Sequence, residues 1–449
     1  MPNKGYVVNK VIFYLVMPWL VSGCAVEAGS SFDWPGMSGK KADSFHVSSP
    51  VLRPGIVDER LNRIDAAIIA EVEAGKIPGA VALVSRKGQR IYHKSFGFSD
   101  IEAEELMRND AIFRIASMTK AITTVGVMQL YEKGFFQLND PISNYLPAFK
   151  DPQVLVTVDK NDAVMKTRAA SREIRIIDLL THSSGRGYPF IPSPIQKTYI
   201  ANGIIDGLTD QDERLALQMA KLAELPLLFD PGSRYNYGLS TDVLGYLIEV
   251  VSGRPLNDYF LNEIFLPLEM HDTSFYLSED KYDRLVTLYA NDGGELIPYT
   301  NDSDTDDSIT DQVNTNYPIS GAMTYFSGGA GLSSTASDYS HFIEMLLNNG
   351  ELHGKRLLGR KSVELMRAPR MDMNGDGVVD FGLGFKVIGD IGMVGELGTP
   401  GTYSWGGAFN TSFWIDPKEQ MLGVIMTQVR PNESDITDRF KTLVYQALE

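Results

Sequence analysis

At 449 residues, with 43% hydrophobic and 22% charged side chains, the chain can bury a real core, which excludes wholesale disorder. Its net charge of −16 repels phosphate backbones and excludes nucleic acid as a natural partner. One cysteine and six scattered histidines exclude a disulfide framework, an iron–sulfur cluster and a cysteine- or histidine-rich metal site.

The chain begins with Lys4 and Lys10, followed by the apolar run Val11–Val21 and then Ser22-Gly23-Cys24. A basic segment, a short apolar segment and small residues at its end form a secretory leader. The run is too short to span a bilayer, which takes about 20 apolar residues. Val21-Ser-Gly-Cys24 resembles a bacterial lipobox, which implies a leader over 1–23 and a lipid-anchored Cys24 at the mature N-terminus. Ala25 then points to the outer membrane, facing the periplasm. Residues 24–50, rich in Gly, Ser and Ala, read as a flexible tether.

Residues 51–449 read as the folded domain. An apolar stripe of Leu61, Ile64, Ala67, Ile68 and Val72 predicts a helix near 57–74. Ala80–Val84 and Arg90–Lys94, split by Lys87-Gly88, predict an antiparallel hairpin. Residues 121–131 are apolar nearly all round and predict a buried helix stopped at Gly134. From about 135 to 320 helical segments dominate, including one over 240–251 capped by Ser240 and ended at Gly253. Strands are expected at 382–387, 411–415 and 422–426, and a last helix at about 434–448. Strands at both ends give an α/β class: one antiparallel sheet closed by the two termini, flanked by helices, with an inserted all-helical region. Asn301–Asp307 is an acidic loop. Asp372, Asn374, Asp376 and Asp380 stand at EF-hand-like positions, with Leu383 where the glutamate belongs. They form a weak calcium candidate beside the plainer reading as an Asx-rich turn.

The nucleophile elbow G-x-S-x-G is absent. S-x-x-K occurs at Ser38–Lys41, Ser117–Lys120 and Ser278–Lys281. Only Ser117 opens the buried helix, where the i, i+3 spacing puts Ser117 and Lys120 on one face and burial suits the lysine to accept a proton.

The strings Phe113-Arg-Ile-Ala-Ser-Met-Thr-Lys-Ala-Ile122, Leu179-Leu-Thr-His-Ser-Ser-Gly185 and Pro231–Gly245 resemble the serine β-lactamase-like superfamily. That group holds class C β-lactamases, DD-peptidases and family VIII carboxylesterases, and the likeness runs through residues 55–449. It implies a β-lactamase-like fold and an acyl-enzyme on Ser117, with no cofactor. Its Y-x-N motif falls on Tyr237-Gly-Leu239, making Tyr237 the partner of Lys120 in moving protons. Tyr289–Asn291 and Tyr299–Asn301 share the pattern but lie in a polar stretch. Trp405-Gly406-Gly407 is similar to family VIII carboxylesterases in place of K-[ST]-G, and implies an oxyanion hole from the Ser117 and Ala408 N–H groups. His182 falls inside a family string and reads as structural.

Leu239 and Trp405 replace the asparagine and lysine that meet an acylamide and a carboxylate. The two absences point to small neutral esters as substrates, cleaved or transesterified, preferred by about 10²–10⁴-fold over anionic peptides or lactams. The alternatives are a β-lactamase or D-amino-acid peptidase, and a non-catalytic penicillin-binding envelope protein. Beyond the ester and the membrane, no protein partner is expected.

Overall fold

The computed structural model describes residues 55–158, 165–300 and 314–449. Cys24, the leader, the tether and the acidic loop at 301–307 lie outside the described residues.

Helix α1 (Asp58–Glu73) buries Leu61, Ile64 and Ile68, the stripe set by its period. Strands β1 (Gly79–Arg86) and β2 (Gln89–Asp100) follow, joined through Lys87 and Gly88. Both turn residues have positive φ, as the right-handed twist of a two-residue hairpin requires. A two-residue strand β3 (Glu105–Leu106) pairs onto β2. Helix α2 (Thr119–Glu132) is buried without a break from Thr119 to Leu130, as its all-round apolar sequence demands. Helix α3 (Ser240–Ser252) ends at Gly253 in the left-handed conformation, and helix α4 (Ala336–Leu347) is capped by the Thr335 side chain. The chain closes with strands β4 (Met371–Asp372), β5 (Val379–Phe381), β6 (Lys386–Ile388), β7 (Tyr403–Gly407), β8 (Thr411–Asp416) and β9 (Met421–Met426), then helix α5 (Ile436–Tyr445).

The nine strands form one sheet in the order β4-β5-β6-β7-β8-β9-β1-β2-β3. The termini meet at its centre, where β1 runs antiparallel to β9 in the register Val81↔Met426 to Arg86↔Met421. Alternation along the strands divides the core. Val81, Leu83, Phe413, Ile415, Leu422 and Val424 join the large cluster that contains α2, α3 and α4. Ala80, Ala82, Val84, Trp414 and Ile425 point the other way and pack with residues of α1 and α5. The sheet is thus covered on both faces.

Three expectations needed correction. The 135–320 region is not all helical: it contains hairpins Gln153–Val158 with Met165–Ala169, and Tyr289–Asp292 with Glu295–Pro298. The first carries the β-branched alternation Val154-Leu-Val-Thr157, and the second turns at Gly293-Gly294, both local strand signals. Residues 382–387 are not one strand, because Gly382 N–H bonds back to Phe385 O (2.8 Å) in a turn between β5 and β6. Ser240 is the first helical residue of α3 rather than its cap, and its hydroxyl pairs with that of Ser184 at 2.8 Å.

Candidate active site

Ser117 stands in a single 3₁₀ turn, Ala116–Met118, immediately before α2. Ala116 is held at φ +40°, a region that costs a residue with a side chain about 1–2 kcal/mol. Lys120, one turn on and 2% exposed, projects on the same side. Its Nζ donates to Gly329 O (2.7 Å) and to Ser117 Oγ (3.2 Å). The same amine lies 4.7 Å from the Tyr237 ring centroid and 5.3 Å from that of Tyr188, so aromatic faces take the place of solvent. Tyr237 OH donates to Ser117 Oγ at 2.6 Å. The structure therefore brings Ser117, Lys120 and Tyr237 together, although 120 residues separate serine from tyrosine.

Tyr237 is placed by hydrogen bonds from its own segment to the backbone of residues 182–187. Asn236 N–H bonds to His182 O (2.7 Å), Asn236 Nδ2 to Arg186 O (2.8 Å), and Leu239 N–H to Gly187 O (3.2 Å). Its ring then packs against His182, Tyr188 and Trp405, at centroid distances of 4.9, 5.3 and 5.7 Å. Burial, and secondarily the Lys120 charge, push the His182 imidazole well below its ordinary range. It is neutral, and its Nδ1 is buried without a hydrogen-bond partner. His182 shapes the tyrosine's surroundings, in line with a structural reading.

Trp405, Gly406 and Gly407 occupy the end of β7. Strand β6 pairs only with Tyr403 and Ser404, so the rest of β7 leaves its outer edge open beside Ser117. A Cβ at Gly407 would stand 2.4 Å from Ile115 O and 2.3 Å from Thr411 Oγ1. Only glycine lets this strand come so close to the turn that carries the serine.

Two hollows meet at Ser117 and Ala408, which line both. The larger, about 510 Å³, is bounded by Tyr237, Trp405, Gly406, Gly407, Asn410 and Thr411, with no charged side chain. The smaller, about 320 Å³, is lined by Tyr188, Phe190, Leu208 and Phe409 together with Asp206 and Arg430.

Leu239 does not belong to this site. It is fully buried, lines neither hollow, and packs in the large core cluster. The chain turns into α3 at this residue and carries its side chain inward. Asp372, Asn374, Asp376 and Asp380 do not assemble into a calcium site either. The Asp372 carboxylate accepts N–H bonds from Asn374, Gly375 and Gly377, as an Asx-rich turn does. Among the described residues no group of three or more His, Cys, Asp or Glu side chains could hold a metal ion. Tyr289, one of the two further Y-x-N tyrosines, is fully buried in a hairpin and donates to Glu102 (2.5 Å).

Sequence reasoning missed Tyr188, Phe190, Asp206, Arg430 and Asn432 as lining residues. The first two follow the Leu179–Gly185 string directly, and that adjacency was a usable signal. Arg430 and Asn432 reach the site only because β9 ends beside it, which no local pattern announces.

Residues 64–447 match the family described as Beta-lactamase. The chain belongs to the beta-lactamase family. An uncharacterized protein of Mycobacterium tuberculosis is 33% identical over 386 residues, 82% of this chain and 90% of that protein. Esterase EstB of Burkholderia gladioli is 30% identical over 373 residues, 79% of this chain and 86% of the esterase. Among solved structures, EstCE1, described as a hydrolase with promiscuous acyltransferase activity, superposes with a TM-score of 0.74. It is 27% identical and covers 86% of this chain and 99% of its own. This beta-lactamase-family chain is therefore an enzyme of a serine hydrolase family whose members include esterases.

Proposed function

We propose that the protein cleaves or transesterifies small neutral carboxylic esters through an acyl-enzyme on Ser117. The observation that carries this reading is the Ser117 hydroxyl, held by Tyr237 and Lys120 where two hollows meet. Ser117 Oγ bonds to the ester carbonyl carbon, and its proton passes to the Tyr237–Lys120 pair. The tetrahedral oxyanion sits on the N–H groups of Ser117 and Ala408, donors typically worth about 2.7–4 kcal/mol each. Collapse expels the alkoxide, which takes the proton from the same pair. Water or a second alcohol then repeats the sequence in reverse, releasing an acid or a new ester. The junction of the hollows suits this order, one side holding the acyl group and the other the alcohol.

Selectivity rests on the larger hollow. Its lining carries no cation to meet a substrate carboxylate, and a carboxylate that sheds water without a partner is disfavoured. With Leu239 buried, one of the two sequence-based deficits disappears. The preference for neutral esters over anionic lactams is accordingly about 10–10²-fold, smaller than the sequence alone suggested. The expected result is a kcat/KM for p-nitrophenyl butyrate at least about tenfold above that for nitrocefin. Equal values, or a preference for nitrocefin, would replace the esterase reading with a β-lactamase one.

The same proposal places the enzyme at the cell envelope, tethered through an acylated Cys24 as its lipobox-like sequence indicates. The full-length protein should then sediment with membranes, and Cys24→Ser should move it to the soluble fraction. A mature chain carrying an unmodified Cys24 by mass spectrometry would remove the anchor from the proposal.

A further inference from the structure

Asp242 is the third residue of α3, fully buried, and the chemistry above does not use it. Its Oδ1 accepts from Ser327 Oγ (2.5 Å) and Gly329 N–H (3.2 Å). Its Oδ2 is buried and makes no hydrogen bond among the described residues. Ser327 Oγ in turn accepts N–H bonds from Gly329 (3.2 Å) and Ala330 (3.0 Å). These bonds close the Ser327–Gly331 turn on itself and dock it on α3.

The docked turn touches the site in three ways. Its Gly329 carbonyl receives Lys120 Nζ at 2.7 Å, its Gly328 carbonyl receives Thr123 Oγ1 at 2.6 Å, and Ala330 lines the smaller hollow. The carboxylate and the lysine thus grip the N–H and C=O sides of one residue, Gly329. A Cβ there would stand 2.4 Å from Asp242 Oδ2, so the turn closes this tightly only on glycine. A buried carboxylate with one oxygen unpaired is a standing cost to the fold. Burial also raises its carboxyl above the ordinary range, against the opposing pull of Ser327 and Lys120. Such a group is retained where its geometry is needed.

We propose that Asp242 is the positioning residue for Lys120: it locks the 327–331 turn so that the Gly329 carbonyl holds the lysine amine within reach of Ser117. This rests on the reading of Ser117 and Lys120 given above. An amine left to swing loses proton transfer but leaves the ester's binding hollows intact, so the effect falls on kcat rather than KM.

The test measures kcat and KM for p-nitrophenyl butyrate, per molecule that shows a native thermal transition, in the full chain and four variants, Ser117→Ala among them. Asp242→Ala should lower kcat at least about a hundredfold, with KM within about threefold. Asp242→Asn, which keeps an acceptor at Oδ1, should restore kcat to within about tenfold of the unmodified enzyme. Ser327→Ala, which removes one hydroxyl and leaves α3 untouched, should lower kcat about tenfold; it carries the test if Asp242→Ala does not fold. A merely structural carboxylate would lower the melting temperature and leave kcat per folded molecule unchanged, and that result overturns the proposal. So does an Asn variant as slow as the Ala variant. If Ser117→Ala remains active, the nucleophile reading fails whatever Asp242 does. If Ser117→Ala is dead and Asp242→Ala is not, only the positioning role falls.

Discussion

Ser117→Ala should lower kcat for p-nitrophenyl butyrate by about 10⁵–10⁶-fold, the loss expected when a covalent nucleophile is removed and binding is kept. The substitution deletes one oxygen from a half-buried position and leaves the 3₁₀ turn and α2 in place, so the fold should survive. Ser278→Ala is the matched control. It carries the same S-x-x-K spacing, yet Ser278 is exposed and its Lys281 is engaged by Asp272 at 3.1 Å. Ester turnover there should be unchanged. Substantial activity in Ser117→Ala would move the nucleophile elsewhere and with it the whole mechanism.

Tyr237→Phe should lower kcat by about 10²–10⁴-fold, the range for removing a proton-handling group. Everything that packs the ring stays, since His182, Tyr188 and Trp405 touch its carbons. Only the 2.6 Å bond to Ser117 Oγ is lost. KM should therefore move little, and the melting temperature by no more than one modest hydrogen bond allows, about 0.5–1.5 kcal/mol. Steady-state kinetics with thermal melts separates the outcomes. A fully active Phe variant would assign the proton traffic to Lys120 alone.

The frame of the molecule was legible because it depends on short-range rules. A period of 3.6 marked α1, an uninterrupted apolar surface marked α2, and Lys87-Gly88 marked the first hairpin. The grouping of Ser117, Lys120 and Tyr237 was readable only through three strings taken together, since spacing cannot say that residues 117 and 237 touch. What failed was orientation. The Y-x-N pattern led to Tyr237, which the fold sets beside Ser117, but the chain becomes helical at Ser240 and Leu239 turns into the core instead of the cleft. Asp242 escaped notice for a related reason. A lone aspartate in the first turn of a helix reads as an exposed partner for the helix dipole, and only tertiary packing reveals it behind Lys120. Arg430 and Asp206 show the limit of arguing from net charge, because the distribution of charge at a hollow is a property of the fold.

The junction of β1 and β9 at the middle of the sheet also sets the order of events during synthesis. Val81 finds its partner in Met426, so the centre of the sheet stays open until the C-terminal strands are available. Pairings this far apart in sequence require closing very long loops and slow the search for the native state. Until then the hairpin of β1 and β2 has an unpaired edge, the kind of strand that chaperones shield from other chains. A chain truncated before residue 421 lacks its central partner strand. It would be a substrate for proteases rather than an enzyme.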